Sequence, residues 1–368
     1  MPDLRRRLLV VHRWTGLCLG FLIAFLAITG GAITFRPQLD TLAYPSLYRA
    51  SSCAAPVAVD RVVAAARARR PGVRVTYVYL YGAPRSSAMV RFADADQVYV
   101  DPCTARVLGD QQRYAGLFGM LEGLHKFRFA GGTAGLPIVG SIALLLAALL
   151  VVIGVYVWWP RRRAGLRLNL RLRGRARGVN VHTTLGVYAA IAVFVIAATA
   201  VPLSLAWARS ALFALTASQD MTEDGLRPHT ASGARGAHIA LQVAWEAARA
   251  TYPGALGWGS LRVPKAREPI EVTIVLAGAV HGEARNLAFV NARTGAIVDR
   301  RPYATLNRGT KAYYWALALH TGRAGGAIVR AIMVLAMIAL CTIVYTGYSA
   351  YIRALLRRRS APLAKVAA

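Results

Sequence analysis

Four of the seven histidines in this chain lie in two sequence patterns that each occur twice. His12 and His182 share the pattern Val-His-x-x-x-Gly, and His125 and His320 share Leu-His-x-x-Arg followed closely by Ala-Gly-Gly. Neutral imidazole is a suitable ligand for iron, and two imidazoles on facing helices can supply both axial ligands of a haem iron. The repetition therefore raises the hypothesis that each pair, with one histidine from each half of the chain, binds one haem.

Each of these histidines lies at the start of a long apolar segment, so these segments must position them. The chain is 56% hydrophobic and has a mean hydropathy of +0.41. A helix needs about 20 apolar residues to cross the hydrocarbon core of a bilayer. Four segments meet that requirement, with apolar cores at residues 16–35, 136–159, 187–207 and 331–348. We therefore predict an α-helical membrane protein with four transmembrane helices.

The distribution of charge predicts the orientation of these helices. The net charge is +29, and residues 160–181 alone contain eight arginines and no acidic residue. Basic residues also dominate segments 1–13 and 351–368. Basic segments between and beside spans remain in the cytoplasm, so both termini and the Arg-rich linker are expected there. In this topology, the basic linker is expected to contact lipid headgroups. Its positive charge is therefore explained without a nucleic-acid partner.

The two segments on the outer side correspond to each other. Each begins with an amphipathic pattern that predicts a helix, at residues 57–69 and 240–251, and each helix pattern ends near a Pro-Gly pair. Strand patterns joined by a turn follow, at residues 98–110 and 288–300. We predict two duplicated repeats with two small α+β domains on the outer side. The predicted order is first span (1–35), outer domain (36–135), second span (136–159), linker (160–181), third span (182–207), outer domain (208–326), fourth span (327–350) and tail (351–368).

The chain contains four cysteines. Cys53 and Cys103 both fall in the first outer segment, where an oxidising compartment would allow a disulfide, but the sequence leaves their pairing open. Cys18 and Cys341 lie in spans and are expected to pack there.

Several of these features resemble the PepSY-associated transmembrane family of bacterial inner-membrane proteins. The resemblance covers nearly the whole chain and is carried by HRWTG (12–16), DPCTARVLG (101–109), LHKFRFAGG (124–132), WWPRR (158–162) and LHTGRAGG (319–326). It implies a multi-pass protein of the inner membrane whose two outer domains are PepSY-like and periplasmic. Some members resemble ferric-siderophore reductases, which carry haem in the membrane and act on iron complexes in the periplasm. Others are known only as iron-regulated or uncharacterised membrane proteins.

Topology and resemblance together give a specific expectation for the histidines. His12 and His182 would bind one haem b near the cytoplasmic face, and His125 and His320 would bind a second haem b near the outer face. Arginines close to these histidines in sequence could pair with the haem propionates; they are Arg13, Arg128 and Arg323. Electrons would pass from a cytoplasmic or membrane donor to an outer ferric siderophore or other iron chelate. No nucleotide-binding motif is present, so the donor is unassigned.

Two other functions remain open from the sequence. The outer domains could recognise a partner protein or peptide, with the spans as anchors and the histidines as structural residues. A transporter is also conceivable, although no acidic residue lies in the middle of a span to couple ions.

Other side chains that could take part in chemistry are expected to have structural roles. His229, His238 and His281 are expected at the surface of the second outer domain. Tyr77, Tyr79 and Tyr81 alternate and should share one face of a strand, where packing is favoured over ligand stacking. The aromatic run at residues 313–315 is expected in an interfacial belt.

Overall fold

The computed structural model describes residues 2–162, 166–225, 228, 239–264 and 268–359. The predictions for His229 and His238 lie outside these residues. The chain divides into two compact units. A helical unit comprises segments 1–34, 121–209 and 319–368, and a sheet unit comprises segments 35–120 and 210–318.

The helical unit contains the four predicted spans, each long and apolar enough to cross a membrane. They run over Pro2–Ile33, Leu136–Trp158, Gly174–Ser204 and Gly326–Arg359. The third span begins inside the predicted Arg-rich linker, and the fourth continues into the predicted tail. Arginine is a good helix former, so a helix can extend beyond its apolar core into an Arg-rich segment.

Small and aliphatic side chains hold the spans together. Ile23 and Ala27 of the first span pack with Val193 of the third and Leu340 of the fourth in one buried cluster. At Gly140 of the second span, an added Cβ would lie 2.7 Å from Leu205. Close approach of backbones through small residues is the usual basis of helix association in lipid.

The second span is not uniformly α-helical. It is α-helical over Leu136–Leu145 and Ile153–Trp158, and the intervening Leu146–Val152 forms a π-helix. A π segment widens the turn and disturbs the regular ladder of backbone hydrogen bonds, and such segments often lie at functional sites.

The sheet unit contains one antiparallel sheet of eight strands in the order β4-β3-β2-β1-β5-β6-β7-β8. Of the two segments predicted to lie outside, the first supplies β1 (Val75–Tyr81), β2 (Ala88–Phe92), β3 (Asp96–Val100) and β4 (Val107–Gln112). The second supplies β5 (Leu256–Arg262), β6 (Ile270–Leu276), β7 (Asn286–Val290) and β8 (Ile297–Arg301).

The pairing of β1 with β5 corrects the prediction of two small outer domains. Tyr77 pairs with Arg262 and Tyr81 with Trp258, so the two four-stranded halves form one continuous sheet. Separate halves would each leave the backbone N–H and C=O groups of an inner edge strand unpaired. Joining the edges satisfies these groups. Both predicted hairpins are present, as β3–β4 and β7–β8.

Both predicted amphipathic helices are present and pack on the same core. They span Val59–Arg69 and Leu241–Thr251. Their apolar sides pack with residues of both halves of the sheet, including Val78 and Leu261. The remaining described helical segments are Arg36–Ala43, Pro45–Tyr48, Gly116–His125, Arg128–Ala130, Trp159–Arg161, Ala206–Leu215, Tyr303–Thr305 and Arg308–His320.

The two core helices also cap one another. The Asp60 carboxylate accepts hydrogen bonds from the backbone N–H groups of Leu241 and Gln242, at 2.8 and 2.9 Å. In return, the Gln242 side-chain oxygen accepts one from the backbone N–H of Val59, at 2.8 Å. The first N–H groups of a helix lack partners within it, so each half of the chain completes the helix of the other.

Two predictions about aromatic and histidine side chains are wrong. Tyr314 is fully buried in the sheet unit rather than in an interfacial belt, and its hydroxyl donates to Glu223 at 2.7 Å. His281 is only 3% exposed rather than at the surface. Its Nδ1 accepts from the Glu283 N–H, its Nε2 bonds to the Tyr303 hydroxyl, and burial lowers its pKa. Both ring nitrogens are therefore used within the fold.

Cys53 and Cys103 form a disulfide, with Cα atoms 5.8 Å apart. The bond closes a loop of 50 residues and ties the segment before the first core helix to the β3–β4 turn. The Asp101 carboxylate supports the same junction by accepting N–H bonds from Ser51 and Cys103, at 2.9 and 2.8 Å.

We predict that replacing Cys53 and Cys103 together by Ser lowers the thermal stability of the protein. A cross-link over a loop of this length restricts the unfolded chain and contributes roughly 3–4 kcal/mol. Differential scanning fluorimetry of the purified protein would measure the change. The double replacement of Cys18 and Cys341, the free thiols, is the control. Equal melting temperatures for the two double variants would contradict the prediction.

Candidate functional site

The structure brings His125 and His320 together. Each is the last residue of its helix, Gly116–His125 and Arg308–His320, and each belongs to the helical unit. Their ring centres are 6.4 Å apart and the ring planes are inclined by 37°. Two residues separated by nearly two hundred positions in the sequence thus face each other across a short gap.

The structure also brings His12 of the first span to His182 of the third. Their ring centres are 6.2 Å apart, with the planes inclined by 83°. The four histidines of the repeated patterns therefore form two pairs, and each pair joins the first half of the chain to the second.

The ring separations match those of two imidazoles that share one metal. A ligating nitrogen lies about 2 Å from the metal and the ring centre about 1 Å further back, so the two centres are about 6 Å apart. Either inclination is compatible, because each ring can rotate about its own nitrogen–metal bond. The spacing therefore suits a pair of axial ligands.

Hydrogen bonds set the tautomer of three of the four rings. The Nδ1 atoms of His320 and His182 bond to the backbone carbonyls of Ile196 and Ile343, each at 3.0 Å. A carbonyl can only accept, so each Nδ1 carries a proton and each Nε2 keeps a free lone pair. This is the arrangement usual for metal-binding histidines, whose second nitrogen donates to an oxygen.

His125 has the same tautomer, with a hydroxyl oxygen as the acceptor for its Nδ1–H. Its Nδ1 lies 3.1 Å from Oγ1 of Thr29, which itself donates to the Phe25 carbonyl at 2.8 Å. Because the hydroxyl proton is already used, the oxygen accepts from Nδ1–H of His125. Sequence reasoning missed Thr29, since nothing in its local sequence distinguishes it from other threonines in spans.

His12 has a different environment. Its Nδ1 is buried and makes no hydrogen bond within the described part of the chain. The carbonyls of Leu149 and Leu150, both in the π-helical segment, lie beside the ring. A Cβ added to Gly154, two residues past that segment, would lie 3.2 Å from Cε1 of His12. The irregular turn of the second span therefore lies against this histidine.

Glycine provides the space for the His125 ring. A Cβ added to Gly30 would lie 2.8 Å from Cε1 of His125, closer than a real Cβ contact permits. A Cβ added to Gly347 would lie 3.5 Å from Cε1 of His182, which is an ordinary contact distance. The absence of a side chain thus lets the imidazole of His125 approach the backbone of the first span.

The two pairs lie near opposite ends of the helical unit. Gly30, which touches His125, is eighteen residues beyond His12 in the first span. At 1.5 Å per residue this corresponds to about 27 Å, close to the thickness of a bilayer core of about 30 Å. The helical unit therefore presents one histidine pair toward each end of its spans.

The three predicted arginines, which neighbour the histidines in sequence, differ in exposure. Arg13 and Arg323 are exposed, and Arg128 is half-buried in the turn Arg128–Ala130. Arg330 of the fourth span was missed. Its Nε is buried without a hydrogen-bond partner in the described residues, and its charge interacts with that of Arg323. An arginine inside an apolar segment was the available sequence signal, because charges in spans usually have a function.

No group of three or more His, Cys, Asp or Glu side chains that could hold a metal ion occurs among the described residues. A pair of histidines does not need such a group if the metal arrives in a porphyrin, whose own nitrogens occupy the remaining positions.

A family model for the PepSY-associated TM region matches residues 9–354. The chain belongs to this family. The matched region of this PepSY-associated protein contains both histidine pairs, Thr29 and Arg330. None of the curated proteins compared with it matches the chain.

We predict that Thr29→Val changes the tautomer balance of His125 in the haem-free PepSY-associated protein. Valine keeps the shape of threonine but cannot accept from Nδ1–H. Nitrogen-15 NMR of histidine-labelled protein would report the change as a redistribution between the Nδ1–H and Nε2–H forms. Thr34→Val is the matched control, because the Thr34 hydroxyl, just past the end of the first span, donates to the Gly30 carbonyl and bonds to no histidine among the described residues. An unchanged His125 signal in Thr29→Val would contradict the prediction.

Proposed function

We propose that this protein is a di-haem oxidoreductase of the bacterial inner membrane. It passes electrons across the bilayer to an outer acceptor, an Fe(III) chelate such as a ferric siderophore, and so promotes iron release. The observation that carries the proposal is the pair of histidine juxtapositions, with ring centres 6.2 and 6.4 Å apart. Their positions near opposite ends of the spans suit transfer from one face of the membrane to the other.

The residues present fit two haem groups held by two histidines each. His12 and His182 would hold one, and His125 and His320 the other, through their Nε2 atoms. Held by two histidines, each haem would supply reversible one-electron exchange. Arg13, Arg128 and Arg323 would supply cations for the haem carboxylates, together with Arg330, whose charge interacts with that of Arg323.

The surrounding residues fix the ligands in place. The carbonyls of Ile196 and Ile343 and the Thr29 hydroxyl hold the Nδ1 protons, which orients each ring and increases the basicity of its Nε2. All four rings are partly buried among the helices of the helical unit. A preorganised environment requires little rearrangement when the charge of a bound group changes.

The proposed orientation puts the sheet unit in the periplasm and both termini in the cytoplasm. The Arg-rich segments support this orientation through the positive-inside rule. The Cys53–Cys103 disulfide supports it independently, because disulfides persist in the periplasm and are rare in the cytoplasm.

The chemistry of iron favours an Fe(III) chelate as acceptor. Hard oxygen ligands such as carboxylates and hydroxamates bind Fe(III) strongly and bind Fe(II), with its lower charge, less well. One electron delivered to the chelate therefore loosens the metal without breaking a covalent bond. The electron comes from a one-electron donor in the cytoplasm or the membrane.

A membrane-anchored binding protein without redox activity is the alternative. In that case the histidines would serve packing alone, and the purified protein would be colourless.

We expect the protein purified from haem-replete cells to show the Soret band and reduced-state bands of low-spin haem b, with two haems per chain by pyridine haemochrome assay. Single substitutions His125→Ala and His320→Ala should each remove one haem and leave the other, because the pairs are separate. Thr183→Ala is the control, since this neighbour of His182 bonds to the Val179 carbonyl. Wild-type protein without haem would refute the proposal, as would equal haem content in all variants.

A further inference from the structure

Three buried side-chain nitrogens of the helical unit make no hydrogen bond among the described residues. They are Nδ1 of His12, Nε1 of Trp158 and Nε of Arg330. Two of the three lie at the second span, because the His12 ring packs against Gly154 and Trp158 follows Gly154 in the same α-helical segment, Ile153–Trp158. The indole of Trp158 has so far been given no role.

Trp158 and Gly154 share one face of the second span. Residues four apart on an α-helix are neighbours, and a side chain covers the turn that precedes its own Cα. The Trp158 side chain therefore leans back toward Gly154, whose missing side chain leaves room for His12. A Cβ added to Gly154 would lie 3.2 Å from Cε1 and 3.7 Å from Nδ1 of His12. The indole is thus on the side of the helix that faces the His12–His182 pair.

The Trp158 N–H is a donor without an acceptor. The ring is half-buried, but its Nε1 is sealed from solvent. An indole N–H can only donate, and a buried one nearly always has an acceptor, because losing water without a replacement is unfavourable. Trp258 of the sheet unit shows the usual arrangement, since its Nε1 donates to the Gly282 carbonyl at 3.0 Å. The acceptor for Trp158 is therefore expected to come from a bound molecule.

The charge near Trp158 favours an anionic acceptor. Arg5 of the first span donates through Nη2 and Nε to the Val157 carbonyl, at 3.0 and 3.3 Å, which holds its guanidinium at the residue before Trp158. The second span contains no acidic residue, and Asp3 of the first is exposed and pairs with Arg7. These two spans therefore supply no buried carboxylate to the indole N–H.

A carboxylate oxygen meets all of these conditions. It accepts only, it is attracted by the arginine, and a hydrogen bond to an ionised acceptor is roughly twice as strong as a neutral one. A carboxylate on a molecule bound between spans must also lie toward their polar ends. Trp158 has that position, because it is the last residue of its α-helical segment and the Arg-rich linker follows it.

We propose that Trp158 donates its indole N–H to a carboxylate of the haem held by His12 and His182. The bond fixes the rotation of that haem about the axis through its two histidines. This inference rests on the proposed function for the identity of the bound group. It adds a neutral donor to a site whose predicted cation, Arg13, is exposed.

A comparison of haem with haem dimethyl ester tests the proposal. The ester has the same ring and iron but no ionised carboxylate. The full-length His320→Ala variant lacks the outer pair and so confines binding to His12 and His182. Haem-free protein in detergent would be titrated with each compound and followed by Soret absorbance. Trp158→Phe in this background should weaken haem binding about tenfold and leave ester binding unchanged, because phenylalanine keeps an aromatic ring but has no donor.

Three further variants control the comparison. Trp159→Phe is the matched neighbour, since Trp159 is exposed and lies against Arg162, and it should bind haem as its parent does. Trp158→Tyr restores a donor and should recover part of the preference for haem over the ester. In a His182→Ala background, which leaves only the outer pair, Trp158→Phe should not change haem affinity.

Two results would overturn the role of Trp158. One is equal haem affinity in Trp158→Phe and its parent. The other is an equal loss of affinity for haem and for the ester, which would show that the indole only packs or contacts water.

Reoxidation of the reduced protein by ferric citrate separates this result from that of the proposed function. Selective loss of haem affinity in Trp158→Phe, without reoxidation of the wild type, would support the role of Trp158 and refute the reductase. Reoxidation of the wild type, with unchanged haem affinity in Trp158→Phe, would support the reductase and refute the role of Trp158. A wild type that binds no haem would refute both.

Discussion

The arrangement of the helical unit depends on the hydrogen-bond acceptors that it provides for imidazole N–H groups among apolar spans. Lipid offers no hydrogen-bond partner, so a polar ring between spans must be satisfied by the protein. His125 reaches from its own helix to Thr29 of the first span, His320 to Ile196 of the third, and His182 to Ile343 of the fourth. These bonds orient the rings, link different spans, and leave Nε2 of each ring as the remaining basic nitrogen.

The two histidine pairs are alike in spacing but not in surroundings. His125 meets a glycine and a hydroxyl of a regular helix. His12 meets the π-helical turn of the second span, with its Nδ1 unpartnered in the described residues. Hydrogen bonding to the far nitrogen changes the basicity of an imidazole ligand. Under the proposed function, the two centres would therefore differ in the basicity of their histidine ligands.

Much of the architecture could be predicted because it depends on local patterns. Apolar length identified the four spans, and amphipathic periodicity identified the helices at Val59–Arg69 and Leu241–Thr251. The turn residues identified both outer hairpins. In contrast, the union of β1 with β5 and the exchange of caps between Asp60 and Gln242 join residues some 180 positions apart. Such contacts leave no local signature, so two domains were predicted where one sheet exists.

The sequence by itself determined which residue types were available and at which end of a span each one lies. The repeated patterns selected His12, His125, His182 and His320, because the two halves of the chain carry the same histidine motifs. Only the tertiary structure decided that these rings lie in pairs with centres 6.2 and 6.4 Å apart, that Thr29 bonds to His125, and that both ring nitrogens of His281 are used in packing. Ring positions and hydrogen-bond partners depend on how distant helices pack, which is set by the whole apolar surface rather than by neighbouring residues.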